Sequence, residues 1–199
     1  MEKVKTFLAD ISDLLNEKNY QKIYKKVPAF RQEKADRLKH REDQAQSVGA
    51  WYLWMKIQER HKIPQDAGQS FNLSHSGKYV LCSAGVSGER VGCDIECMRK
   101  YPQRLAEKYF CSSEYERIRN ADEAERTEMF YRYWVLKESF LKATRKGLVM
   151  GLNTSEIQIP KQGDPDFFKA AGRNPGNLLF KRISDRWSKD CGVLNESEF

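Results

Sequence analysis

Apolar residues recur with two different periods along the chain, and the change of period separates predicted helices from predicted strands. Between residues 3 and 26 the spacing is helical, which predicts a first helix; its apolar positions are Val4, Phe7, Leu8, Ile11, Leu14 and Leu15. Pro28 begins a second helical pattern that continues to about Ile63, and Pro64 follows at a predicted helix end.

The second half of the pattern mixes strands with shorter helices. Residues 79–86 and 91–96 predict two strands of a hairpin, joined by a turn at Ser87-Gly88-Glu89-Arg90. Helices are predicted at 102–110, 113–120 and 122–146, the last ending at Gly147, and further strands at 155–159, 178–184 and 191–195, with a loop at 160–177. The chain is therefore predicted to be α+β, with a boundary near Arg90–Val91 between halves 1–90 and 91–199.

Length, charge and cysteine content narrow the class of protein. The chain has 199 residues, which fits one large domain or two small ones, and a net charge of +7. Residues 1–91 hold 16 basic against 11 acidic residues, so the N-terminal half is the more basic. A basic half suits a phosphorylated cofactor, nucleic acid, an anionic membrane surface or an acidic protein.

Other classes of protein are disfavoured by what the sequence lacks. It has no apolar run of membrane-spanning length, no signal-peptide core and no helix-turn-helix or zinc-finger pattern. The five cysteines are odd in number and include no Cys-x-x-Cys pair, which favours reduced thiols over a disulfide or zinc site. We expect a cytoplasmic protein that binds neither membrane nor nucleic acid.

Asp94 and Glu96 are the first candidate site. On a strand, residues i and i+2 face the same side, so the two carboxylates would stand together while Ile95 faces the core. Their repulsion is usually offset by a cation, and Mg²⁺ prefers such oxygen ligands. Gly92 would let a ligand or another strand approach closely. The alternative is a pair of solvated acids at a strand edge.

Further candidates lie on the long helix, before the hairpin and near the N-terminus. Glu138 and Lys142 share a helix face, where they form either a surface ion pair or a metal and phosphate site. Ser74-His75-Ser76-Gly77 has a composition suited to gripping an anion, with His75 as a phosphate contact. A basic run from Arg31 to Arg41 is either a solvated helix face or an attractor of phosphate.

Taken together, three segments of the sequence, FNLSHSG, GCDIE and WVLKESFLKATRKGL, resemble the 4′-phosphopantetheinyl transferases of the Sfp type. The resemblance runs from about Arg31 to Leu152. It implies a pseudo-twofold pair of similar α+β halves, here with an abbreviated N-terminal half whose N-terminus is predicted to be helical where the family usually opens with a strand. It also implies a monomer that moves the phosphopantetheine arm of coenzyme A onto a serine of an acyl- or peptidyl-carrier protein and releases 3′,5′-ADP.

The resemblance also implies roles for individual residues. Asp94, Glu96 and Glu138 would bind Mg²⁺, with Glu114 as a nearby acid. Glu138 and Lys142 would be catalytic, and the coenzyme A contacts would be Arg31, Lys34, Ser47, Ser74, His75 and Lys142. Gln46 stands where many members have an arginine near the nucleotide phosphate. Two acceptors are open for the serine proton, namely Glu138 and a metal-bound water.

Two alternatives to a transferase are kept. One is a degenerate protein that binds coenzyme A or a carrier protein with little transfer. The other is a basic nucleic-acid-binding module with an incidental acidic pair, which salt-dependent DNA or RNA binding would reveal.

Overall fold

A computed structural model describes residues 4–63, 71–85, 90–145, 151–159, 167–171, 180–181 and 192–193. The strands are β1 (Val4–Asp10), β2 (Phe71–Ser76), β3 (Tyr79–Gly85), β4 (Glu156–Gln158), β5 (Phe167–Ala171), β6 (Phe180–Lys181) and β7 (Gly192–Val193). The helices are α1 (Glu17–Tyr24), α2 (Ala29–Asp36), α3 (Arg41–His61), α4 (Gln103–Tyr109), α5 (Ser112–Asn120) and α6 (Glu123–Thr144). The predicted α+β class is confirmed. Within these ranges no helix combines the length and apolar content that crossing a bilayer requires.

The N-terminal segment is a strand, so the prediction of a helix over residues 3–26 is wrong for its first part. β1 lies inside a four-stranded sheet of order β2-β3-β1-β7, antiparallel to β3 and parallel to β7. Phe7, Leu8 and Ala9 are all buried, because both faces of a central strand are covered. Such a strand lacks polar alternation, and its apolar spacing matched a helix by coincidence. Residues Ser12–Leu15 then form a 3-10 turn before α1.

Each face of this sheet has its own apolar cover. Phe7 pairs with Cys82, which pairs with Leu73, and this row packs on the large core beneath α1 and α3. The next row, Leu8 with Leu81, faces the other way. The helical stretch predicted from Pro28 to Ile63 is two helices, since α2 ends at Asp36 and α3 begins at Arg41.

Residues 90–99 are not a strand, so the predicted second arm of a hairpin is wrong. They form an irregular segment with no backbone ladder to the described part of the sheet. Cys93 and Ile95 pack on Leu8 and Leu81, which places the segment across the second face of the sheet. Ile95 faces apolar neighbours there, as predicted. The predicted turn includes residues 87–89, which lie outside the described residues.

The C-terminal half has its own core, and its predicted elements are largely confirmed. α4, α5, α6 and β4 match the predicted spans 102–110, 113–120, 122–146 and 155–159, and they surround a separate cluster that includes Phe130, Tyr133 and Ile157. α6 ends with Arg145 in the left-handed conformation, whereas Gly147 lies outside the described residues. β6 and β7 fall inside the predicted strands 178–184 and 191–195, while β5 interrupts the predicted loop.

Candidate active site

The side chain of Asp94 is the centre of a polar cluster between the irregular segment and α6. Its Oδ1 atom accepts hydrogen bonds from the Ser74 hydroxyl and from the Lys142 ammonium, each at 2.7 Å. The ammonium also donates to Ser74 Oγ and to the Cys93 carbonyl oxygen, both at 3.2 Å. The Asp94 side chain is only 5% exposed, so this ion pair is shielded from water on its acidic side. Ser74, Asp94 and Lys142, three of the predicted site residues, are therefore in direct contact.

Glu96 and Glu138 lie within electrostatic reach of the same cluster. Partial desolvation, followed by the charge of Asp94, raises the pKa of Glu96. Desolvation raises the pKa of Glu138, and the charges of Asp94 and Glu96 add to that rise while Lys142 opposes it. The three predicted carboxylates therefore interact, although Asp94 and Glu96 reach this position from an irregular segment rather than from a sheet.

Gly92 determines how closely the segment approaches α6. A Cβ atom built on Gly92 would lie 1.9 Å from the Ser139 carbonyl oxygen and 2.6 Å from the Ala143 amide nitrogen. Only a residue without a side chain fits against this turn of helix. The close approach predicted at Gly92 is therefore made by the helix backbone, and it places Asp94 beside Lys142.

The donor chemistry of the cluster fits a hard cation. Carboxylate oxygens are the ligands that Mg²⁺ prefers, and Asp94 Oδ2 is buried without a hydrogen-bond partner among the described residues. The same residues contain no group of three or more His, Cys, Asp or Glu side chains already arranged to hold a metal ion. Asp94 is neutralised by Lys142 in this arrangement.

His75 belongs to a different environment from its neighbour Ser74. Adjacent residues of a strand face opposite sides of the sheet, and Ser74 is bound on the side of Asp94. Desolvation lowers the pKa of His75, as do the positive charges of Lys142 and Lys34, while Asp43 opposes the shift. His75 is exposed and Lys34 extends from α2, so both are available to an anion at the edge of β2.

Arg31 and Ser47 lie on α2 and α3, and no contact joins them to the carboxylate cluster within the described ranges. The Arg31 guanidinium lies 4.3 Å from the centroid of the Trp51 ring, and its Nε is buried without a described partner. Ser47 is buried with its hydroxyl also unpartnered there. Gln46 donates to the Gly77 carbonyl oxygen at 2.8 Å, so it fixes the β2–β3 turn.

Glu114 has a structural environment, which differs from its expected place as an acid near the metal. Its Oε2 pairs with Lys137 at 2.8 Å and accepts the Cys111 amide, while its Oε1 accepts the Ile157 amide at 2.7 Å. Lys137 also donates to the carbonyl oxygens of Leu152 and Ser155. Both charged side chains are at most 2% exposed. They tie α5 and α6 to β4, a role of Lys137 that no pattern in the sequence predicts.

Comparison with known families shows which proteins this arrangement is similar to. Residues 90–188 match the model of the 4′-phosphopantetheinyl transferase superfamily. Over this part of its length the chain is similar to that superfamily. The match includes the irregular segment and all of α6, and therefore contains the four charged residues Asp94, Glu96, Glu138 and Lys142.

Individual transferases of the superfamily are similar to the chain over different lengths. 4′-phosphopantetheinyl transferase Sfp of Bacillus subtilis (strain 168) is 34% identical over 101 residues, which are 51% of this chain and 44% of Sfp. HetI of Nostoc sp. is 36% identical over 96 residues, 47% of this chain and 39% of HetI. The transferase ffp of Bacillus subtilis is 26% identical over 190 residues, covering 81% of this chain and 84% of ffp. The chain spans less than half the length of Sfp and HetI in these matches.

Proposed function

We propose that the protein transfers the 4′-phosphopantetheine arm of coenzyme A to a serine hydroxyl of an acyl- or peptidyl-carrier protein and releases 3′,5′-ADP. The similarity of residues 90–188 to the 4′-phosphopantetheinyl transferase superfamily supports the reaction class. The observation that carries the proposal to this chain is the Asp94–Lys142 ion pair, with Glu96 and Glu138 within electrostatic reach of it. An acidic cluster with one lysine suits chemistry at a pyrophosphate, which requires positioning and neutralisation of charge.

Asp94, Glu96 and Glu138 are the proposed ligands of Mg²⁺. Bound there, the ion would neutralise negative charge on the pyrophosphate of coenzyme A. Glu138 and a water at the site are the two proposed acceptors of the serine proton. Lys142 would exchange its hydrogen bonds to the chain for a phosphate oxygen, as a mobile point charge can. The serine oxygen forms the new bond to phosphorus, and the bond to 3′,5′-ADP breaks.

The coenzyme A contacts proposed on the N-terminal side are Arg31, Lys34, Ser47 and His75. Two of them have buried atoms without a described partner, the Arg31 Nε and the Ser47 hydroxyl, and such atoms can bind a ligand. Lys34 and His75 lie within electrostatic reach of one another and would attract a phosphate. Ser74 is engaged by Asp94, Lys142 and Ile95, so its proposed contact with the nucleotide would need these hydrogen bonds to rearrange.

A monomer with two α+β halves, 1–90 and 91–199, remains part of the proposal. The two large apolar clusters support the division into halves, since one is built from residues 7–84 and the other from residues 106–157. The pseudo-twofold relation and the abbreviated N-terminal half rest on the family resemblance.

Mass spectrometry of an apo acyl-carrier protein incubated with this protein, coenzyme A and Mg²⁺ tests the function. We expect a gain of one phosphopantetheine arm that EDTA prevents. Glu138→Ala should abolish the gain, whereas Glu125→Ala, an exposed carboxylate at the start of α6, serves as the matched control and should retain it. No gain across acyl- and peptidyl-carrier proteins, with folded protein, would refute the proposal.

A further inference from the structure

Three polar side chains of β2 hold the irregular segment in place of a backbone ladder. The Cys93 amide donates to Asn72 Oδ1 at 3.0 Å, the Ile95 amide to Ser74 Oγ at 3.3 Å and the Cys97 amide to Ser76 Oγ at 3.0 Å. Asn72, Ser74 and Ser76 are two residues apart, so they share one face of the strand. Every second amide of the segment thus meets every second side chain of β2. We call this set of three hydrogen bonds the side-chain ladder.

The two serines of the ladder also bind the carboxylates. Ser74 Oγ donates to Asp94 Oδ1 at 2.7 Å, and Ser76 Oγ donates to Glu96 Oε2 at 3.2 Å. A hydroxyl has one proton to donate and two lone pairs to accept with, so each serine can serve an amide and a carboxylate together. One hydroxyl therefore fixes both the backbone beside a carboxylate and the direction of that carboxylate.

We propose that Ser74 and Ser76 are positioning residues, each of which sets one carboxylate of the Asp94–Glu96 pair through the side-chain ladder. The inference rests on the proposed function, because it assigns the pair a cation to hold. Groups that orient metal ligands without touching the metal commonly change affinity or activity by about 10–100-fold when they are removed. Ser74 is 6% exposed, so its loss would also leave the Ile95 amide without its described partner and remove one of the two hydrogen bonds to Asp94 Oδ1.

Backbone amide exchange followed by NMR tests the ladder without requiring activity. The amides of Cys93, Ile95 and Cys97 should exchange slowly, whereas those of Asp94 and Glu96, which have no partner among the described residues, should exchange fast. Ser74→Ala should speed exchange at Ile95 by about tenfold or more, and Ser76→Ala should do so at Cys97. Ser76→Thr keeps the hydroxyl and should restore protection.

Titration with Mn²⁺, detected by electron paramagnetic resonance, tests the positioning. Both alanine variants should bind Mn²⁺ about 10–100-fold more weakly and transfer the arm more slowly at saturating coenzyme A. Ser12→Ala is the matched control, because the Ser12 hydroxyl also donates to a carboxylate, that of Asp10, at another place in the fold. It should leave Mn²⁺ affinity and exchange in residues 93–97 unchanged.

Two results would overturn the inference. One is unchanged exchange at Ile95 and Cys97 in the respective variants. The other is faster exchange with unaltered Mn²⁺ affinity and transfer, because the ladder would then hold the chain without directing the carboxylates. If the proposed function itself is wrong, the result differs from both, because the unaltered protein would neither bind Mn²⁺ nor label a carrier protein. Amide exchange would still support or refute the side-chain ladder in that case.

Discussion

Replacing Gly92 by alanine should both destabilise the protein and disable the candidate site. The added Cβ would lie 1.9 Å from the Ser139 carbonyl oxygen, whereas ordinary carbon–oxygen contacts are about 3.3 Å or longer. The segment and α6 would have to separate by roughly 1.4 Å. Such a displacement would break the 2.7 Å hydrogen bond between Lys142 and Asp94.

The size of the effect follows from two contributions. Overpacking of this kind costs about 1–3 kcal/mol, and loss of a charge-assisted hydrogen bond at a buried carboxylate costs about 1.5–3 kcal/mol. We therefore expect the free energy of unfolding to fall by about 2.5–6 kcal/mol, which for a chain of this size lowers Tm by roughly 5–20 °C. Thermal unfolding followed by circular dichroism, with and without Mg²⁺, measures it.

Two further variants isolate the cause. Gly49→Ala is the matched control, because its Cβ would meet the movable side chains of Ile11 and Leu14 rather than backbone, and it should cost less. Adding Ala143→Gly to Gly92→Ala relieves only the 3.0 Å contact with the Ala143 Cβ, so it should not restore stability. A Gly92→Ala protein with Tm within about 2 °C of the unaltered chain would refute the reasoning.

Three other predictions follow from buried or interacting charges. Lys137→Met should lower the urea-unfolding free energy by about 3–5 kcal/mol, because it leaves the Glu114 carboxylate buried without its counter-charge; a loss below 1 kcal/mol would contradict this. Glu138→Gln should stabilise the metal-free protein at neutral pH, because desolvation and the charges of Asp94 and Glu96 disfavour the ionised carboxylate. Because the folded-state pKa of Glu138 is raised, the stability of the unaltered protein falls as pH rises through that pKa. The stability difference between the two proteins should therefore vanish near pH 3, where the carboxyl is protonated in both folded and unfolded states. A difference that stays constant with pH would refute this prediction. Burial raises the pKa of the Cys93 thiol to about 11, so iodoacetamide at pH 8 should label Cys97 well before Cys93, as peptide mass spectrometry would show.

Local patterns in the sequence were sufficient for the C-terminal half. α6 carries regular helical spacing, so the i, i+4 relation of Glu138 and Lys142 followed directly and both residues lie at the carboxylate cluster. The apolar run of β3 likewise predicted its span to within one residue. These elements depend on contacts between residues close in sequence, which periodicity records.

Long-range contacts explain what the sequence patterns missed. The pattern of apolar residues predicts a helix at β1 because nothing in its own residues shows that β3 and β7 pair on either side of it. The sequence predicts a strand for the irregular segment because apolar and polar residues do alternate in it. The hydrogen-bond partners of its amides are, however, side chains of β2. The polar positions Asn72, Ser74 and Ser76 alternate in the sequence and were the available signal. The pairing of Lys137 with Glu114 joins two helices and had no local signature.

The side-chain ladder explains why the carboxylates do not sit on a regular strand. A backbone ladder would place the segment in the plane of the sheet, about 4.8 Å beyond β2. Hydrogen bonds to side chains instead hold it above the face, over Leu8 and Leu81. In this position above the sheet, Gly92 contacts the backbone of α6, and Asp94 comes within hydrogen-bond distance of Lys142. Asp94 and Glu96 therefore come close to Glu138 and Lys142 of α6 because the segment does not continue the sheet as a strand.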